Sequence, residues 1–281
     1  MILSAAHCRP INPGTMAWIN PFRLSIPRST DQRYSIAEVR ANADYDTGTK
    51  LSNDFMLIRI NGASPNRFVE LNTIGSEPRD NDPLTVFGWG TEVVDINTRP
   101  SILQQVGVTA ITNNECRFEY GSSAVSSDML CCDESGRGAC QGDSGGPLII
   151  SGGNSQSDTQ VGIVSWGAGC ARPGSPGVYS RVSAGWPWIR KNVCEMSESP
   201  PAYFDCANGI DDYLVAFNTD QYPSETTWTI ENGRGEVVEE VTLSRAQDVE
   251  SKVVQLKRGE TYTFSVTDDF GDGFCKSTKR E

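Results

Sequence analysis

The chain has 281 residues, room for two domains or for one large domain with an appendage, and its 37% apolar content with 27 Gly and 15 Pro points to a turn-rich globular protein. A formal charge of −12 without any basic run argues against a phosphate-binding surface, so no nucleic-acid partner is expected. No apolar run reaches membrane-spanning length, and Met1 to Ala6 is too short and lacks the charged start of a secretory leader. Nine cysteines, no C-x-x-C pair and a single histidine favour disulfides over zinc, hence a secreted protein. The odd count leaves at least one thiol without a partner in the chain.

In chain order, residues 8–53 alternate short apolar stretches with turn signals such as Asn12-Pro13-Gly14 and Asp46-Thr47-Gly48. Residues 35–39 read as a half-buried strand. Asp54 then opens a largely buried strand, Phe55-Met56-Leu57-Ile58-Arg59-Ile60; taken alone it is an ordinary strand-start turn residue. Residues 84–90 form a second strong strand ending in Gly-Trp-Gly, residues 103–111 another, and Asn113-Asn114-Glu115-Cys116 opens a short helical turn. Residues 178–182 are a strand, and Trp186-Pro187 begins a C-terminal helix.

Between these elements lies GRGACQGDSGGPL, residues 136–148, a strained loop feeding an apolar strand. Gly142, Gly145 and Gly146 let the backbone approach a bound carbonyl with no Cβ in the way. Such a loop exposes the Ser144 hydroxyl and can aim the N–H groups of Gly142 and Ser144 at one point, an oxyanion hole. A hydroxyl needs a neighbouring base to become a nucleophile at neutral pH. If that base is an imidazole, it must be His7, in SAAHC, the one histidine in the chain.

AAHC, NDFMLIRI around Asp54, GDSGGP and SWGAGC together resemble the trypsin/chymotrypsin family of serine peptidases, over roughly the first two-thirds of the chain. The order His7, Asp54, Ser144 is that family's; in α/β-hydrolases the histidine follows the serine, and none does here. The resemblance implies an all-β fold, a double antiparallel β-barrel, and a triad in which Asp54 accepts Nδ1–H of His7 and fixes its tautomer. It also implies bridges Cys116–Cys131 and Cys140–Cys170, the latter tying the Ser144 loop to the loop after Ser165-Trp166-Gly167. Those loops wall the primary pocket, with Gly167 and Gly177 leaving it open. Gly138 falls at the floor, where trypsins carry an aspartate. Without that carboxylate, a buried substrate Lys or Arg would be poorly paired, so large apolar or aromatic side chains are expected, unless Glu134 or Asp133 reaches in. Ser165 to Gly167 would pair with substrate backbone as a strand. Asp143 would pair with a new N-terminal amine freed from a propeptide. AAHC stands almost at the first residue, so the chain reads as N-terminally truncated, and residues 1–281 expressed alone are expected to be inactive.

The peptidase is expected to span residues 1–195, a linker 196–206 and a β-rich accessory domain 207–281, similar to a module found behind secreted peptidases of some marine microorganisms. Cys194 and Cys206 flank the linker and are expected to pair, making a stapled hinge. Alternating stretches at 214–217, 226–230, 236–238, 252–256 and 262–266, with the turn Asn232-Gly233-Arg234-Gly235, read as a small β-sandwich-like domain. Asp268, Asp269 and Asp272 share a glycine-rich turn able to hold calcium, but it is no EF-hand and lacks the distal Glu, so a solvated turn is expected. Cys8, Cys132 and Cys275 have no assigned partners.

The expectation is a secreted, monomeric serine endopeptidase acting on peptides and proteins without metal or organic cofactor. One alternative is an inactive homologue that binds or regulates; here all three triad residues are present. Another gives the biological role to the tail, as an adhesion or carbohydrate-binding module.

Overall fold

Strands dominate the architecture, described in a computed structural model for residues 1–92, 99–154, 156–206, 209–219, 221–244, 246 and 249–269. The first sheet contains β1 (Ile2–Ser4), β2 (Met16–Ile19), β3 (Gln32–Ala41) and β4 (Met56–Ile60), in the order β1-β4-β3-β2. It is an antiparallel half-barrel. In β4, Met56 and Ile58 pack with Ile36 on one face. Phe55 and Leu57 point the other way, into a core shared with the C-terminal helix. The strand is buried on both faces, which is why it reads as a continuous apolar run.

The second barrel follows β5 (Glu70–Leu71) and closes from six strands: β6 (Pro83–Gly88), β7 (Gln104–Ile111), β8 (Met129–Asp133), β9 (Pro147–Ile150), β10 (Thr159–Trp166) and β11 (Gly177–Arg181). The β10–β11 pairing completes the closure. Leu84, Val86, Val108, Leu130, Leu148 and Tyr179 fill its interior. These strands bear out the all-β, trypsin-like double-barrel reading.

Helix α1 (Asn113–Tyr120) extends beyond the expected short turn because Thr112 and Glu115 form a capping box. Helix α2 (Val182–Met196) starts four residues before the expected Trp186, with Pro187 inside it. Val182, Trp186, Ile189 and Val193 make one buried stripe, and that burial outweighs the backbone bond that Pro187 cannot donate. No helix among the described residues is long and apolar enough to cross a membrane.

The tail contains β12 (Ile210–Asn218), β13 (Thr226–Asn232), β14 (Val237–Thr242), β15 (Val249–Lys257) and β16 (Tyr262–Asp268). A β12–β15 pair faces a β14-β13-β16 sheet across Trp228, Ile230, Leu243 and Val254. The Asn232 turn joins β13 to β14, with Gly235 N–H donating to Asn232 O at 2.9 Å. Asp268 ends β16, and Asp269 N–H donates to Glu225 O. Asp272 and Cys275 lie outside the described residues.

The segment read as a hinge is packed. Phe204 is 8% exposed and stacks on Trp186, in the core that also receives Phe55 and, from β15, Val253. Arg190 on α2 donates to Phe204 O at 2.8 Å, Asp205 O at 2.7 Å and Ile210 O at 2.7 Å, and pairs with Asp212 at 3.3 Å. The Cys194–Cys206 disulfide closes the same junction. A covalent staple, a buried cation and an aromatic stack hold the start of the tail against the helix.

Candidate active site

His7 sits in a 3₁₀ turn, Ala6–Cys8, directly after β1. Asp54 sits just before β4, β1's neighbour, so pairing of these strands brings together residues 47 apart. Asn53, in the left-handed region at φ 52°, turns the chain there, and its N–H donates to Asp128 Oδ2 at 2.5 Å. The turn aims the Asp54 carboxylate inward.

That carboxylate is 0% exposed and fully engaged. Oδ1 accepts from His7 N–H at 2.8 Å; Oδ2 accepts from His7 Nδ1 at 2.7 Å and from Ser165 Oγ at 2.6 Å. Three donors offset the desolvation of a buried charge. Since a carboxylate only accepts, Nδ1 carries the proton and Nε2 is left free to take one. The Asp54 hydrogen bond raises the His7 pKa above its ordinary value, as does the Cys8 contact, while burial opposes the rise.

Ser144 is exposed on the turn between β8 and β9. Gly145 N–H donates to Val164 O at 2.9 Å and Val164 N–H to Gly146 O at 2.9 Å, fixing the loop on β10. A Cβ on Gly145 would collide with Ser4 Oγ and lie 3.1 Å from Cys8 Sγ, so the loop is pressed against the segment that carries His7. Among the described residues no hydrogen bond joins Ser144 to His7; Nε2 lies 3.8 Å from Cys8 Sγ. Catalytic hydrogen bonds are often loose before substrate arrives.

Gly142 adopts φ 103°. Gln141 O accepts from Thr91 N–H at 3.0 Å, and a planar trans peptide then turns the Gly142 N–H the opposite way. Neither Gly142 N–H nor Ser144 N–H donates to any described residue. Both donors are available to an incoming oxygen. Asp143 accepts from Gly90 N–H at 2.7 Å and Cys140 N–H at 2.9 Å, and any Cβ at Gly88 or Gly90 would collide with its carboxylate. Among the described residues no cation pairs with it. The Gly88-Trp89-Gly90 triplet, read only as a strand end, is the glycine cradle of this acid.

Beside Ser144 opens a cavity of about 180 Å³, whose lining includes Gly138, Ser165, Trp166, Gly167 and Gly177. The Cys140–Cys170 disulfide joins two of its walls, and Cys116–Cys131 ties α1 to β8. The nearest atom to a Cβ on Gly138 would be Ala171 N at 3.8 Å, so the floor is open. Asp133 and Glu134 also line the cavity, but the Glu134 carboxylate accepts from Thr109 Oγ1 at 3.1 Å. Cys132 lines it too, as a buried free thiol whose pKa burial pushes up; Cys8 is the other free cysteine among the described residues. No cluster of three metal-ligating side chains occurs among the described residues.

Two structural roles were not read from the sequence. Ser165, assigned only to substrate binding, places its hydroxyl on Asp54, and Ser180 Oγ holds the Asp54 backbone carbonyl at 3.1 Å. Neither serine has a local signal, because both reach Asp54 from strands more than a hundred residues away.

The trypsin family model matches residues 1–189. Trypsin-1 of Astacus astacus is 37% identical over 176 residues, 60% of this chain and 72% of that protein. Trypsin delta of Drosophila melanogaster is 35% identical over 198 residues, 69% of this chain and 75% of its own length. The vitellin-degrading protease of Bombyx mori is 33% identical over 210 residues, 70% of this chain and 74% of its own. Residues 1–189 make this chain a member of the trypsin family, a serine-type endopeptidase.

Proposed function

We propose that Ser144, His7 and Asp54 form the catalytic triad and that the enzyme cleaves after large apolar or aromatic residues. Ser144 Oγ attacks the scissile carbonyl and passes its proton to His7 Nε2, while the Gly142 and Ser144 N–H groups hold the oxyanion. The C–N bond breaks as His7 returns the proton to the leaving amine, and water hydrolyses the resulting ester by the same relay. Asp54, held by Ser165, keeps His7 in the productive tautomer. The doubly bonded His7–Asp54 pair, with the Ser144 loop pressed against its segment, carries this reading.

The apolar preference rests on Gly138, which offers no charge at the floor of the pocket. A cavity of about 150 Å³ holds a benzene molecule, so the volume here suits one ring. Asp133 and Glu134 in the lining, and relatives named trypsin, favour a second reading, cleavage after Arg or Lys. Three disulfides fit secretion, and protein substrates outside the cell.

A fluorophosphonate probe on the full-length protein tests the triad. Labelling of the wild type but not of Ser144→Ala would support the triad; absence of labelling in both is the outcome expected of an inactive chain, either a binding homologue or a peptidase whose site is not ordered for catalysis. A peptide library then separates the two preferences. Strong selection of Arg or Lys at the cleaved position would reject the apolar pocket.

A further inference from the structure

Arg99 stands against the outer flank of the oxyanion loop. A Cβ on Gly142 would lie 3.0 Å from Arg99 Nε and 3.2 Å from its Cζ, so the guanidinium lies directly beside the glycine whose N–H faces the reacting carbonyl. Arg99 is exposed, and among the described residues no carboxylate pairs with it. The nearby acid, Asp143, is already taken up by the Gly90 and Cys140 N–H groups. In a chain of net charge −12 this is an exposed cation at the edge of the site, with no described carboxylate paired to it.

Its side of the loop tells which half of a substrate it meets. The cavity for the cleaved residue's side chain is lined by Gln141, Ser144 and Ser165, and neither Gly142 nor Arg99 lines it. The leaving amine must depart towards His7, which protonates it, and so away from that cavity. A chain that leaves the oxyanion loop on the side away from that cavity passes Gly142 and, beside it, Arg99.

We propose that Arg99 is a specificity-determining residue that binds an acidic side chain one or two positions beyond the scissile bond. This rests on the assignment of Ser144 as nucleophile and extends it to the leaving-group half of the substrate. A guanidinium offers a carboxylate two parallel N–H donors, whereas a Lys there meets like charge.

Peptides with Phe at the cleaved position, followed by Asp, Glu, Ala or Lys at the next two, provide the test. Their binding to full-length Ser144→Ala is read by fluorescence anisotropy, which needs no turnover. Acidic peptides should bind about three- to fivefold more tightly than Lys peptides, as expected for an exposed ion pair. Raising salt from about 0.1 M to about 1 M, which shortens the Debye length from about 10 Å to about 3 Å, should erase the difference. Adding Arg99→Gln should abolish the preference and Arg99→Glu should reverse it. With Ser144 intact, Arg99→Gln should lower kcat/KM more for peptides that are acidic beyond the scissile bond than for a p-nitroanilide, which has no residues there. Equal binding of all four peptides, or a preference that survives Arg99→Gln, would overturn the proposal, as would an equal loss on the anilide. If wild type fails to hydrolyse the anilide, catalysis is absent from the chain as expressed, while the binding measurements still decide what Arg99 recognises.

Discussion

Ser165 Oγ donates to Asp54 Oδ2 at 2.6 Å, the same oxygen that receives His7 Nδ1 at 2.7 Å. The hydroxyl and the imidazole thus compete for one carboxylate oxygen, and the strength of each bond is set partly by the other. Removing the hydroxyl with Ser165→Ala leaves more of the carboxylate's charge for the imidazolium. The acid limb of kcat/KM against pH should move to higher pH, and the fold should lose about 2 kcal/mol, as for hydrogen bonds to charged groups. An unmoved limb would show that Ser165 does not tune His7.

Asp54→Asn should lower kcat by about 10⁴-fold by favouring the wrong histidine tautomer. The pH dependence has a defined sign. His7 is raised above its ordinary 6.5 chiefly by the Asp54 bond, so its protonated form is favoured in the folded state. Activity needs the neutral base, and therefore rises with pH through a limb lying above 6.5 in the wild type. The stabilisation is the reverse: it is complete below 6.5 and lost as pH rises through the folded-state pKa. Urea unfolding at about pH 5 and about pH 10 should give a wild-type difference that Asp54→Asn diminishes.

Gly138→Asp places a carboxylate where there is now open space, with no clash to absorb it. Discrimination for Arg over Phe at the cleaved position should rise by about 10- to 100-fold in kcat/KM, the value of a charge-assisted pair in a partly dry pocket. An unchanged ratio would place Gly138 away from the bound side chain.

Arg190→Met should destabilise the protein by about 3–5 kcal/mol, because it leaves Asp212 without its cation and three backbone carbonyls without their donor. Chemical denaturation of Arg190→Met, Asp212→Asn and the double variant measures the coupling. The double variant should lose less than the sum of the two. Strict additivity would mean the pair contributes nothing to docking the tail.

The sequence alone carried the catalytic chemistry in legible form, since most of its signals are local. A serine among glycines and a lone histidine beside Cys8 are local signals, whereas Asp54 alone reads as an ordinary strand-start residue and acquires a role only from the order of the motifs around it. The five tail strands were legible for a similar reason, as two-residue alternation is a property of each strand by itself, whereas the double barrel was implied by the family resemblance. Helix α2 was misplaced at its start because Pro187 is a strong local stop signal, and only the buried stripe beginning at Val182 overrides it. The supporting contacts belonged to tertiary structure. Ser165 reaches Asp54 across 111 residues and Gly90 reaches Asp143 across 53. Arg190 converts an expected hinge into a packed junction. Such contacts leave no local trace, since they form only when closing the barrels and stacking Phe204 on Trp186 remove water from polar groups, which must then find partners wherever the folded chain supplies them.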